Sequence, residues 1–165
     1  MVLLLLLGCI VGAFAVVLLK GAPYLPVRRK EQQLALDLLE LQPGDTVVDL
    51  GSGDGAFLLA AAKAGLVAYG FELNPILCLV SKVRCWKYRR QVHIYWGDFW
   101  KVDFPAETKG VYVFLLDRFM ERLGKKLERQ SQVLRRPLKV VSYTFQIPGR
   151  KPQAQKGGLF RYDFY

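Results

Sequence analysis

At 165 residues the chain has room for one ordinary domain and not for two. Its apolar fraction of 52% is enough for a buried core, and a net charge of +10 favours an anionic neighbour: nucleic acid, an anionic bilayer face or an acidic protein. Three cysteines (Cys9, Cys78, Cys85) without ligand spacing exclude a disulfide framework, and the single histidine, His93, excludes a multi-histidine metal site.

From Val2 to Leu19 no side chain is charged or strongly polar. As a helix this run would be about 27 Å long, close to the hydrocarbon thickness of a bilayer. Nothing basic precedes it, and no small-residue cleavage site follows, so residues 1–20 read as an uncleaved membrane anchor and not as a signal peptide. Lys20, Arg28, Arg29 and Lys30 follow the run. That bias predicts a single-pass protein whose remaining chain lies in the cytoplasm or the mitochondrial matrix, with these cations near anionic headgroups. Residues 21–26, with Pro23 and Pro26, read as a short stiff connector, and 27–165 as the domain it holds close to the membrane.

From there helical and strand periods alternate. Helices are predicted over 27–41, 56–64, 75–88 and 118–130. Strands are predicted over 46–50, 67–72, 92–96, 111–116, 138–145 and 159–165, with a polar loop over 148–158. Alternating strands and helices imply a mainly parallel sheet with helices on both faces, an α/β Rossmann-like arrangement. In such sheets ligands bind outside the carboxyl ends of the strands, where the strand order reverses.

The first strand runs straight into Asp49-Leu50-Gly51-Ser52-Gly53-Asp54-Gly55. Glycines there permit unusual backbone angles and close approach of a ligand. Glu72 follows Gly51 by 21 residues, ends the second strand and opens Glu72-Leu73-Asn74-Pro75. A carboxylate at that place can accept both hydroxyls of a ribose. Gly51, Gly53 and Ala56 also fit the dinucleotide fingerprint, but Asp49 and Asp54 would set like charge beside a pyrophosphate. After the third strand come Gly97-Asp98-Phe99, an acid able to accept from an adenine amino group and an aromatic able to flank the ring.

This order of motifs resembles the class I methyltransferases. The resemblance implies a seven-stranded fold and S-adenosylmethionine (SAM) as cofactor, although only six strands are visible in the sequence. The contacts it implies are Asp49, Gly51, Ser52, Gly53 and Gly55 in the loop, Glu72 and Asn74 after the second strand, and Asp98 and Phe99 after the third. A narrower likeness runs from about Pro23 to the end. It includes Pro23-Tyr24-Leu25-Pro26, the glycine loop, Glu72-Leu73-Asn74-Pro75, Asp98-Phe99-Trp100-Lys101 and Phe145-Gln146-Ile147-Pro148. On these segments the chain resembles the membrane-associated lysine methyltransferases of the mitochondrial adenine nucleotide translocase and ATP synthase c subunit, and their prokaryotic relatives.

That resemblance implies methyl transfer to lysine in a membrane protein, with the bilayer itself as a second partner. Methylation of a lipid or quinone at the membrane, and of nucleic acid, remain alternatives. The tetrad (N/D)-P-P-(Y/F), carried by many methyltransferases of base amino groups, is absent after the fourth strand. Leu115-Leu116-Asp117-Arg118 stand there and count against nucleic acid. In-line methyl transfer needs alignment and a lone pair on the acceptor, and neither a metal nor a covalent nucleophile. Tyr24, Trp100, Tyr143 and Phe145 are candidates for the wall of an acceptor site, and Asp117 and Glu121 for acids facing it; no catalytic base is assigned.

Overall fold

The computed structural model describes Met1 and residues 25–165. The expected membrane span over residues 2–19, and the connector up to residue 24, lie outside the described residues. Among the described residues no helix is long and apolar enough to cross a membrane.

Helix α1 (Arg29–Leu39) buries Ala35, Leu36, Leu38 and Leu39, the spacing of one helical face. It ends at Glu40, whose backbone is left-handed and whose amide donates to the Leu36 carbonyl. Strand β1 (Thr46–Leu50) is buried along its whole length, as suits a central strand rich in β-branched residues. Helix α2 (Ala56–Lys63) buries Phe57, Leu58, Ala61 and Ala62. Strand β2 (Val67–Glu72) precedes helix α3 (Pro75–Arg84), which has proline in its first turn and an Asn74 side chain capping it. Strand β3 (Val92–Trp96), strand β4 (Thr108–Val113), helix α4 (Met120–Leu134), strand β5 (Leu138–Tyr143), strand β6 (Ala154–Lys156) and strand β7 (Leu159–Phe164) complete the chain.

The strands form one sheet in the order β3-β2-β1-β4-β5-β7-β6. The first five are parallel, and β7 runs antiparallel to both β5 and β6. Side chains alternate across the sheet. Val47 joins α1, α2, Ala68 and Val92 on one face. Val48 and Leu50 join Val111, Val140 and the Met120, Leu123 and Leu127 side chains of α4 on the other. Helices thus cover both faces, as expected. The order reverses between β1 and β4, which opens a crevice beyond their carboxyl ends.

Several boundaries differ from the sequence reading. A seventh strand, β6, lies inside the segment expected to be loop, because Ala154, Gln155 and Lys156 pair with Arg161, Phe160 and Leu159 across a turn at Gly157. Strand β4 begins at Thr108 and ends before Phe114, since its early residues find partners on β1 despite weak strand propensity. Strand β5 stops at Tyr143 because Thr144 adopts φ 75°. Helix α3 ends at Arg84, with a separate 3₁₀ turn over Trp86–Tyr88. Helix α4 follows a 3₁₀ turn over Asp117–Phe119 and runs on to Leu134.

Candidate active site

The chain leaves β1 through Gly51 at φ 83° and Gly53 at φ 54°, then enters α2 through Gly55 at φ 76°. A Cβ on Gly51 would meet nothing within 4 Å, so this glycine forms an open floor. A Cβ on Gly55 would collide with the Ser81 side chain of α3. The bend is tied to β2. The amides of Gly51 and Ser52 donate to the Phe71 carbonyl at 2.9 and 3.1 Å, and the Gly53 amide donates to Glu72 Oε2 at 2.8 Å. Glu72 Oε1 accepts from the Asn74 amide at 2.7 Å. The Gly55 amide donates to Ser52 O at 2.9 Å, and the Ala56 amide to Asp54 Oδ1 at 3.2 Å. These five loop amides are therefore spent within the chain.

Three carboxylates gather here. Asp49 is buried, and burial holds its carboxyl well above the usual range, with the charges of Glu72 and Asp54 pushing the same way. Burial also raises Glu72, against the pull of the Asn74, Gly53 and Leu73 amides. Asp54 forms an ion pair with Arg84. No cation among the described residues pairs with Asp49 or Glu72. The Ser52 and Tyr112 hydroxyls are buried without a hydrogen-bond partner among the described residues. Burial, then the Asp49 charge, pushes the Tyr112 hydroxyl far up. Its ring stacks on Phe57 at 4.1 Å.

These groups line a crevice of about 920 Å³, its open mouth included. Asp49, Gly51, Ser52, Gly53, Glu72, Asp98 and Phe99, all expected as cofactor contacts, line it together. Asp98 also accepts from the Trp100 amide at 3.0 Å, capping the 3₁₀ turn Phe99–Lys101, and Phe99 lies 4.6 Å from the Trp100 ring. Gly55 and Asn74, expected among the contacts, do not line the crevice. Gly55 packs against Ser81, and Asn74 is fully buried with its Oδ1 accepting from Ile76 N at 2.9 Å. Of the candidate acceptor walls, Trp100 lines the crevice; Tyr143 and Phe145 do not, and Tyr24 lies outside the described residues. Asp117 and Glu121 are solvent-exposed, and Glu121 pairs with Lys125 at 2.8 Å.

Sequence reasoning missed the wall supplied by Leu25, Pro26 and Val27, with Gln32 of α1 behind them. It also missed Tyr112 and Phe114 at the end of β4, for which an aromatic pair at a strand end was the only signal.

The arrangement discriminates between ligands. A pyrophosphate would find the buried Asp49 and Glu72 carboxylates and a bend five of whose amides are already donated. A ligand carrying positive charge meets the opposite sign in a partly desolvated place. Glu72 accepts from the chain on both oxygens and keeps acceptor capacity for hydroxyl donors, and among the described residues Asp98 accepts through Oδ1, leaving Oδ2 for an amino group. The residues present therefore fit SAM.

A sheet in this order with β7 reversed, and a crevice at the ends of β1, β2 and β3, defines the class: the fold of class I SAM-dependent methyltransferases. An RNA methyltransferase from Salinibacter ruber, crystallised with S-adenosyl-L-homocysteine, superposes with a TM-score of 0.72 at 25% identity, covering 85% of this chain and 92% of that one. The family model of the ANTKMT methyltransferase domain matches residues 49–154, and the chain belongs to that family. The human lysine N-methyltransferase named for the ATP synthase c subunit is 37% identical over 139 residues, which cover 82% of this chain and 57% of the human protein. A protein-lysine N-methyltransferase from Saccharolobus islandicus is 33% identical over 135 residues, 79% of this chain and 81% of that protein. The chain thus spans a little over half the length of the human relative.

Proposed function

We propose that the chain uses SAM to methylate the side-chain nitrogen of lysine in a membrane protein. The observation that carries the cofactor half is the buried pair Asp49 and Glu72, without a cation partner among the described residues, beside a glycine bend five of whose amides are already donated. SAM supplies an electrophilic methyl group on a positively charged sulfur. In this reading Asp49 receives the ammonium end, Gly51, Ser52 and Gly53 form the floor, and Glu72 accepts from the ribose hydroxyls. Asp98 accepts from the adenine amino group and Phe99 flanks the ring. Gly55 and Asn74 shape the loop from behind.

The acceptor half is supported by the relatives, which are named for lysine methylation. Trp100, Phe114 and Leu115 give the crevice an apolar side. A lysine held there loses water around its ammonium group, which favours the neutral amine that attack requires. Residues 1–20 are assigned as a single-pass anchor, 21–26 as connector and 27–165 as the catalytic domain. The domain then lies on the cytoplasmic or matrix side, following the apolar run and the cations after it.

Incubating the full chain with membranes and radiolabelled SAM tests the reading. Label on lysine of a membrane polypeptide is expected. Label found only in the organic extract or only in RNA would replace lysine with a lipid or nucleic-acid acceptor. A chain that binds no SAM by calorimetry would overturn the cofactor assignment.

A further inference from the structure

Ten large apolar side chains are exposed among the described residues, and six of them lie between residues 79 and 96. Leu79, Val80, Val83 and Trp86 belong to α3 and the turn after it, and Tyr95 and Trp96 to β3, the outermost strand of the sheet. Leu79 and Val83, four residues apart, share the outward face of α3, and Trp86 is exposed in the turn that follows it. The core-facing side of that helix already has Leu77, Cys78 and Ser81. Folding therefore needs nothing from the outward face, where a surface helix ordinarily carries polar residues.

Charge gives the patch a direction. From Pro75 to Gly97 there are five cations (Lys82, Arg84, Lys87, Arg89 and Arg90) and no Asp or Glu. Arg84 is taken by Asp54. The Arg89 guanidinium lies over the Trp86 ring at 4.9 Å. Trp96 Nε1 donates to the Leu73 carbonyl at 3.1 Å, which holds the indole at the surface beside Gly97 and Asp98 of the crevice rim.

We infer that this α3–β3 edge is a membrane-contact surface that seats on anionic phospholipid headgroups. Aliphatic and indole groups interleaved with lysine and arginine are the composition of an interfacial element. Nucleic acid would leave Leu79, Val80 and Val83 without a partner. A second copy of the chain would bring two sets of cations together. The surface is distant in sequence from the apolar run over residues 2–19 and takes no part in the proposed chemistry. It puts the mouth of the crevice at headgroup level.

The test uses the full chain with vesicles of phosphatidylcholine, with and without phosphatidylglycerol, whose acyl chains are brominated to quench nearby tryptophan. The chain has three tryptophans, so Trp86→Phe/Trp96→Phe leaves Trp100 as the background. The intact chain should lose most of its emission on the anionic vesicles, and the double variant little. Lys82→Glu/Lys87→Glu/Arg90→Glu should abolish the loss while vesicle flotation through the N-terminal run persists. No quenching of the intact chain on anionic vesicles overturns the inference. So does equal quenching of the intact chain and the double variant, or quenching that survives the charge reversal. Salt-sensitive RNA retention by this edge without vesicle quenching also overturns it, in favour of nucleic acid. None of these readouts depends on methyl transfer, so failure here leaves the proposed reaction standing.

Discussion

On the β5–β7 side of the sheet, charges meet opposite charges. Arg161 reaches Glu40 at 2.7 Å and Asp163 at 3.2 Å, Lys139 reaches Glu40 at 3.6 Å, and Arg150 reaches Glu128 at 3.0 Å. At the ends of β1 and β2, Asp49 and Glu72 are buried beside one another with no cation among the described residues. The hydrogen bond and charge of Arg161 hold Glu40 below its ordinary range, whereas burial holds Asp49 above it. The signs then oppose. Acidification removes the contribution of Glu40 as pH falls through its lowered pKa, but relieves Asp49, whose cost grows as pH rises from the ordinary carboxylate range. Matched charge serves the free chain. Unmatched buried charge costs it stability, and marks a place where a ligand brings the missing sign.

Four substitutions would break or sharpen this contrast. The largest effect is expected from Glu72→Ala, which leaves the Gly53 and Asn74 amides without an acceptor. It should cost about 2–4 kcal/mol in denaturant unfolding and weaken SAM binding by roughly 100-fold in calorimetry. Unchanged affinity would remove Glu72 from the site. Gly55→Ala combines a left-handed backbone with the Ser81 collision and should cost about 2–3 kcal/mol. Adding Ser81→Gly should restore part of that; no recovery would put the whole cost in the backbone angle.

Asp49→Asn should act in two directions. SAM affinity falls on the order of tenfold, while the free protein gains about 1 kcal/mol at neutral pH, since a buried charge is gone. Because Asn does not titrate, that gain should shrink as pH falls; thermal unfolding across a pH series reads it, and a gain that grew on acidification would reverse the assignment. Smallest is Arg161→Met on the matched side. A melting point lower by at most a few degrees, with SAM affinity within about twofold, is expected. A large affinity change there would mean the two regions are coupled.

The central strands were legible because their signal is local. Thr46–Leu50, Val67–Glu72 and Val92–Trp96 are short apolar runs bounded by turn residues, and the structure places β1, β2 and β3 on those bounds. Strand β6 was not legible, since Ala-Gln-Lys has no alternation and becomes a strand only through β7. In the crevice, Asp49 and Glu72 near the ends of β1 and β2 and Asp98 just after β3 were readable from spacing because each sits at a strand end. The same spacing could not separate Asn74 and Gly55, which support the loop, from the residues that face the cavity. The wall at Leu25, Pro26 and Val27 carried no local signal, because its place across the crevice is set by where α1 packs.

The buried carboxylates of the crevice also bear on turnover in the proposed reaction. The donor arrives with a positive sulfur, and the thioether by-product leaves without it. In that proposal the carboxylates that strengthen the grip before transfer lose one attraction after it, which favours fresh donor over spent by-product. Rising salt should change that preference little, because buried charges are screened far less than exposed ones.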